Sequence, residues 1–133
     1  MTRRAWSVAL VVTALALAAC GGEDDSLSGV WTGAFKDNLG GLGGGTFTFS
    51  ESGGIVSGSW QVIYQTFAGR AQYNNSGSLN GTLAGDLVAA QMTSQSSCVF
   101  VLQATRSGRH MTGSYESRGC AIAQNGTVDL EHQ

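Results

Sequence analysis

Residues 56–60 read VSGSW, and the same form returns as LNGTL at 79–83 and MTGSY at 111–115, with WTGAF at 31–35 a looser copy. The shared pattern is apolar, polar, Gly, Ser or Thr, apolar. In an extended chain side chains alternate between two faces. The apolar ends and the central glycine of each copy therefore point one way, and Ser, Thr or Asn point the other. Glycine on an inner face lets a strand coil sharply and leaves room for a facing ring. A repeated ligand contact would produce the same pattern, but barrel curvature explains it more simply.

Outward from these copies the period-two alternation continues. Trp31, Gly33 and Phe35 share a face, as do Phe47 and Phe49, with Thr46, Thr48 and Ser50 opposite. Val56, Gly58, Trp60, Val62 and Tyr64 extend the theme through a longer strand. The predicted strands are 29–36, 45–51, 55–65, 77–83, 86–93, 97–104, 110–116 and 124–131, about eight in all. Short turns join several of them: ESGG at 51–54, AG at 84–85 and RSG at 106–108. Successive strands on short turns form an antiparallel meander. The expected fold is therefore all-β, an antiparallel up-and-down meander closed into a small barrel, which also removes exposed edges. Residues 66–76, TFAGRAQYNNS, fit either a long loop or a further strand.

Composition agrees with this fold class. The 133 residues include 20 glycines and no proline, and only 12% are charged. Gly, Ser, Thr, Asn and Gln supply the polar surface, which suits an exported all-β domain.

The first residues differ in kind. Arg3 and Arg4 precede an uncharged, largely apolar run from Ala5 to Ala19 that closes on small residues. These are the three regions of a secretory signal, and the run is shorter than the roughly 20 residues of a membrane span. Leu17-Ala18-Ala19-Cys20 resembles the lipobox of bacterial lipoproteins. That resemblance implies cleavage before Cys20, a diacylglycerol thioether on its sulfur and acylation of the new amino terminus. One acyl chain anchors marginally, whereas two or three hold a protein on a bilayer. Ordinary secretion is the alternative, because Ala16-Leu17-Ala18 also forms an A-x-A cleavage site. The organisation expected is a signal peptide at 1–19, a lipidated cysteine and acidic tether at 20–28, and a barrel domain at 29–133. Gly21 is not the aspartate that retains some lipoproteins at the inner membrane. The expected location is the cell envelope, on the outer face of the plasma membrane or at the outer membrane.

With Cys20 assigned to lipid, Cys98 and Cys120 remain as an even pair in an oxidising compartment. They are 22 positions apart with neither C-x-x-C spacing nor paired histidines, which makes a poor zinc or redox site. A structural disulfide is the expectation. Loss of the leader takes two of seven basic residues, leaving five against nine acidic ones and a formal charge of −4. Nucleic acid, which needs a clustered positive face, is not an expected partner. Glu23-Asp24-Asp25 reads as a solvated spacer, since calcium needs six or more oxygens in a defined loop.

SGVWTGAF, DNLG, TFTF and GGIVSGSW follow the order of the first three strands of avidin and streptavidin-type barrels, which the chain resembles over about a third of its length. TGSYES at 112–117 is similar to that family's third-strand motif but stands near the other end. Biotin contacts in the family come from an Asn after the first-strand Trp and a Tyr ending the third-strand motif. Gly33 and Trp60 occupy those positions, and the later pocket tryptophans are missing. The resemblance thus implies architecture and argues against biotin. Lipocalin-like barrels compare equally well.

Motifs for chemistry are sparse, and none points to a cofactor or a metal. GGLGGG at 40–45 lacks the Lys-Ser/Thr ending of a phosphate loop and precedes a strand, so it reads as a mobile hairpin loop. His110 has Ser114 and Glu116 nearby in sequence, without any sign that the three converge as a triad would require. RSGRH at 106–110 with Arg118 gathers positive charge near one end, as a solvated hairpin tip or an anion contact. The N-x-S/T sites at Asn74, Asn80 and Asn125 need no explanation in a bacterial lipoprotein. The sequence therefore predicts a non-enzymatic barrel with one of two roles. It binds a small apolar ligand among Trp31, Phe35, Phe49, Trp60, Tyr64 and Tyr115, or its loops at 36–45 and 66–76 bind another protein. Small barrel lipoproteins that inhibit lysozyme or proteases supply the analogy for the second.

Overall fold

The computed structural model describes residues 26–38, 40–65, 72–96, 98–121 and 123–133, except for the side chains of Tyr64, Gln72 and Tyr73. Eight strands follow one another: β1 (Gly29–Asp37), β2 (Leu42–Ser52), β3 (Ile55–Gln65), β4 (Gln72–Ala84), β5 (Leu87–Ser94), β6 (Val99–Ser107), β7 (His110–Arg118) and β8 (Asn125–His132). Each pairs antiparallel with the next, and β8 returns to β1, so the meander closes into a barrel. The expected fold class is the observed one.

Up-and-down connectivity gives the barrel two unlike ends. At one end β2–β3, β4–β5 and β6–β7 turn tightly on Gly53 and Gly54, Gly85 and Gly108, with φ between 59° and 84°. Glycine enters this left-handed region at no steric cost, which is why tight hairpins select it. Leu27 covers the same end: it is fully buried, and its carbonyl accepts a 2.8 Å hydrogen bond from Trp31 Nε1. The other end carries the longer connections after β1, β3, β5 and β7. We call these the closed and open ends.

The central glycines of the repeated pentapeptide sit where neighbouring strands approach closely. A Cβ on Gly33 would meet the Asp129 carbonyl, and one on Gly58 the Thr48 carbonyl. At Gly81 it would strike the Ala89 carbonyl and Ala90, and at Gly113 the Gln103 carbonyl and Ala104. Every copy of the repeat thus marks a point where the neighbouring backbone occupies a side chain's place. Barrel curvature is its physical content.

Two expectations need correction. GGLGGG is not wholly a hairpin loop, because Leu42 to Gly45 form the first residues of β2, paired with both β1 and β3. The glycines serve the packing: a Cβ on Gly45 would run into the Phe35 ring. The loop expected at 36–45 therefore shrinks to the residues between Asp37 and Leu42. Of 66–76, residues 72–76 belong to β4 and 66–71 lie outside the described residues. Cys20, the leader and the acidic triplet at 23–25 also lie outside them.

Candidate ligand pocket at the open end

The barrel interior is filled over its closed half. Trp31, Phe47, Phe49, Val56, Val88, Met111 and Leu130 are each at most 2% exposed. Phe47 sits in register between Trp31 on β1 and Trp60 on β3. An aromatic chain then runs along the interior. Phe49 stacks on Phe47 and Phe47 on Phe35, each with centroids 5.6 Å apart. Phe35 meets Tyr115 at 5.7 Å, Tyr115 meets Phe100 at 6.1 Å, and Phe100 meets Trp60 at 6.0 Å. The last two contacts are T-shaped, the arrangement that the ring quadrupole favours.

Toward the open end this filling gives out. A cavity of about 30 Å³ is walled by Phe35, Trp60, Val62, Met92, Phe100 and Tyr115. Asp37, Gly41, Asn75 and Gln124 form its polar rim. The space exceeds the roughly 10–15 Å³ that a water needs and falls well short of a roughly 300–1,000 Å³ drug-sized pocket. Only one group of a ligand fits behind the rim. Larger hollows, of about 320 to 500 Å³, lie on the outer wall beside Gly77, Gly113 and Gly126, open to solvent. The inner cavity differs from them in being walled by several aromatic rings.

Hydrogen bonds and a disulfide hold the rim. Asp37 Oδ1 accepts from the Gly41 amide at 2.6 Å, and Oδ2 accepts from Gln124 Nε2 at 2.9 Å. The Asn38 amide donates to the Asn125 carbonyl, and the Gln124 amide donates to Ser117 Oγ. Cys98 and Cys120 are paired, with Cα atoms 5.0 Å apart, in the ordinary disulfide range. The connection after β7 is thereby tied covalently to the one after β5 and by hydrogen bonds to the one after β1. Trp60 is fixed in turn, its Nε1 donating to the Ser78 carbonyl at 3.2 Å.

The six aromatic residues expected to line a ligand site separate by depth. Phe35, Trp60 and Tyr115 wall the cavity, whereas Trp31 and Phe49 lie in the filled half. Tyr64 is in β3, and its side chain lies outside the described residues. Sequence reasoning missed Met92 and Phe100 as wall residues, and Asp37 and Gln124 at the rim. The signal for Phe100 was present: Phe100, Leu102 and Ala104 alternate with Val99, Val101 and Gln103.

His110 belongs to neither end's interior. Its Nε2 lies 2.6 Å from Asp129 Oδ1 and 3.8 Å from Glu131 Oε1 on the outer wall. The hydrogen bond to Asp129 and the negative charges of Asp129 and Glu131 raise its pKa above the ordinary 6.5. Ser114 is not the hydrogen-bond partner of His110, and Glu116 pairs with Arg118 instead. The basic cluster expected from RSGRH and Arg118 also divides. Arg106 and Arg109 flank the closed-end turn, while the nine residues of β7 carry Arg118 to the open end. Arg106 lies 3.6 Å from Asp86, and Arg109 donates to the His132 carbonyl, so both guanidinium groups have partners within the protein.

No protein-family model and no curated protein matches this chain. Solved structures that share the fold include three small barrels. EF1p2_mFAP2b bound to DFHBI is 20% identical, with a TM-score of 0.64 over 80% of this chain and 94% of that one. The redesigned β-barrel mFAP0 bound to DFHBI is 17% identical, with a TM-score of 0.60 over 80% of this chain and 98% of that one. A de novo designed fluorescence-activating β-barrel is 16% identical, with a TM-score of 0.54 over 80% and 93%. At these identities the likeness concerns architecture: the chain is similar to small closed barrels, some of which were solved with a small molecule bound.

Proposed function

We propose that this protein is a lipid-anchored, non-enzymatic barrel of the cell envelope that seats the apolar group of a small ligand in its open-end pocket. The observation that carries the reading is the uneven interior, packed solid at the closed end and hollow among rings at the other. Small barrels are either filled by their own side chains or hold one ligand, and this one divides the two along its axis. Leu27 enters at the closed end, with only a short segment between it and Cys20. A lipid on Cys20 would therefore hold the closed end toward the bilayer and leave the pocket facing away. Designed barrels of the same architecture bound to DFHBI are compatible with this use of the fold.

Titration with the neutral dye Nile red tests the pocket. Saturable binding of one dye per barrel is expected, with quenching of tryptophan emission, and Val62→Phe should plug the cavity and abolish it while melting normally. Absence of saturable binding to the unmodified protein would end the ligand reading. For the anchor, Cys20→Ser should move the protein from the membrane to the soluble fraction. Retention of that variant on membranes would contradict lipidation.

A second reading has one observation in its favour. Leu42 and Ile63 are 61% and 42% exposed on the outer wall, separated in register only by Gly44. An apolar pair beside the rim suits a protein partner that covers the open end, which is the inhibitor-like role.

A further inference from the structure

We propose that the ligand carries an uncharged oxygen acceptor, a carbonyl above all, beside its apolar group, and that Asn75 recognises it. This rests on the small-ligand reading above and specifies the chemistry next to the buried group. Asn75 belongs to the cavity rim and stands on β4 opposite Val62 of β3, a wall residue. Val62 is buried in the interior, and residues opposite one another on paired strands share a face. Asn75 is therefore directed inward as well. The inward positions that follow it on β4 are Gly77, Leu79 and Gly81, none of them polar. Trp60 Nε1 reaches the Ser78 carbonyl, so the indole lies against β4 three residues from Asn75. Three residues of strand cover roughly 10 Å, which one small molecule spans.

The hydrogen bonds around the cavity identify the available donor. Gln124 Nε2 and the Gly41 amide donate to Asp37, and Trp60 Nε1 to the Ser78 carbonyl. Asn75 differs. Its Oδ1 accepts from the Ser76 amide at 3.0 Å, which fixes the orientation of the side-chain amide. Among the described residues no hydrogen-bond acceptor engages its Nδ2, and the side chain is only half-buried. A ligand that fills the mouth takes this N–H away from solvent, and a hydrocarbon would leave it unsatisfied. A carbonyl oxygen at that point replaces the lost bond. The acceptor is neutral because no Lys or Arg is among the described residues that line the cavity. A carboxylate seated there would lose its solvation without gaining a counter-charge.

An isosteric pair separates the acceptor from the shape. Acetophenone and α-methylstyrene share one outline and differ by a C=O in place of a C=CH2. Competition with Nile red on the intact protein gives both affinities. Asn75→Asp keeps the acceptor for the Ser76 amide and removes the donor. It should weaken acetophenone about fivefold and change α-methylstyrene by less than about twofold. Equal changes for the pair, or none for acetophenone, would overturn the assignment. Proton NMR of the Asn75 side-chain amide tests the wild-type protein directly, even if that variant folds poorly. Acetophenone should move one NH2 proton further downfield than α-methylstyrene does, and matching shifts would overturn the assignment. Saturable Nile red binding alongside either negative result would leave the pocket intact. Failure of all three probes to bind would instead remove the pocket reading itself.

Discussion

The two ends of this barrel are built from the same strands but solve different problems. At the closed end, two-residue turns on glycines bring the strands together over a fully buried Leu27, and the one polar atom of the Trp31 ring is satisfied by the Leu27 carbonyl. At the open end the connections lengthen, the interior thins to a cavity rimmed by a carboxylate and two amide side chains, and a disulfide ties two of the connections together. Tight turns and dense packing stabilise through buried apolar area, which an open end with a usable cavity gives up. The open end replaces that packing with a covalent link and hydrogen bonds between connections. In a small barrel a cavity is tolerated where the opposite half carries the core.

The sharpest test of this division truncates one ring at each end. Trp31→Ala should cost about 3–5 kcal/mol, because it empties a fully enclosed site. Phe100→Ala should cost at least about 1 kcal/mol less, since its removal enlarges a space already open to solvent. Urea unfolding monitored by circular dichroism measures both. Equal losses would mean that the open half contributes to the core as the closed half does.

Next in size is the open end's covalent link. Replacing Cys98 and Cys120 together by Ser should cost roughly 3 kcal/mol on the chain-entropy estimate for a closed loop of this length. Hydrogen exchange should accelerate most at residues 95–96 and 119–124, and least in the turns at 53–54 and 108–109. Uniform acceleration would show that the disulfide serves the whole barrel. Alkylation of the intact protein without reductant should leave both cysteines unlabelled.

A smaller loss is expected where curvature is set. Gly113→Ala places a methyl against the Gln103 carbonyl and Ala104, and should cost about 1–3 kcal/mol through overpacking. Gly53→Ala meets nothing within 4 Å, and only its φ of +59° opposes the change, so about 1 kcal/mol is expected. A reversed order would mean that the turns, not the pentapeptide glycines, set the geometry of the barrel.

These glycines also show what the sequence could disclose. Alternation placed the inward faces of β1 and β3; the recurring central glycine was read as curvature with room for a facing ring, and the structure shows neighbouring backbone in that place at Gly33, Gly58, Gly81 and Gly113. Strand existence was legible because it depends on local alternation. The start of β2 was not, because Gly43 and Gly45 have no side chain to alternate and their role depends on Phe35 in another strand. The pocket was half legible for the same reason. Period two places Phe35, Trp60 and Tyr115 inside, yet depth along the axis depends on register around the closed sheet. That register separates them from Trp31 and Phe49. Asp37 and Gln124 stand 87 positions apart, and no local pattern could have joined them.

The smallest effect concerns a titrating group on the outer wall of the closed half. His110 shares a hydrogen bond with Asp129 and lies near Glu131, and these interactions raise its pKa above 6.5. A histidine that binds its proton more tightly in the folded state adds stability below its unfolded pKa, and that stability fades as pH rises through the folded value. Both partners are more than half exposed, so salt and water screen the pair and the gain is small. Proton NMR should place the His110 midpoint above 6.5, with Asp129→Asn returning it toward that value. Stability should decline slightly from mildly acidic to neutral pH at low salt, and the Asp129→Asn variant should flatten that slope. Because the site is remote from the rim, ligand affinity should not follow the same titration. If affinity did follow it, the outer wall and the pocket would be coupled, and the two ends could no longer be treated as independent.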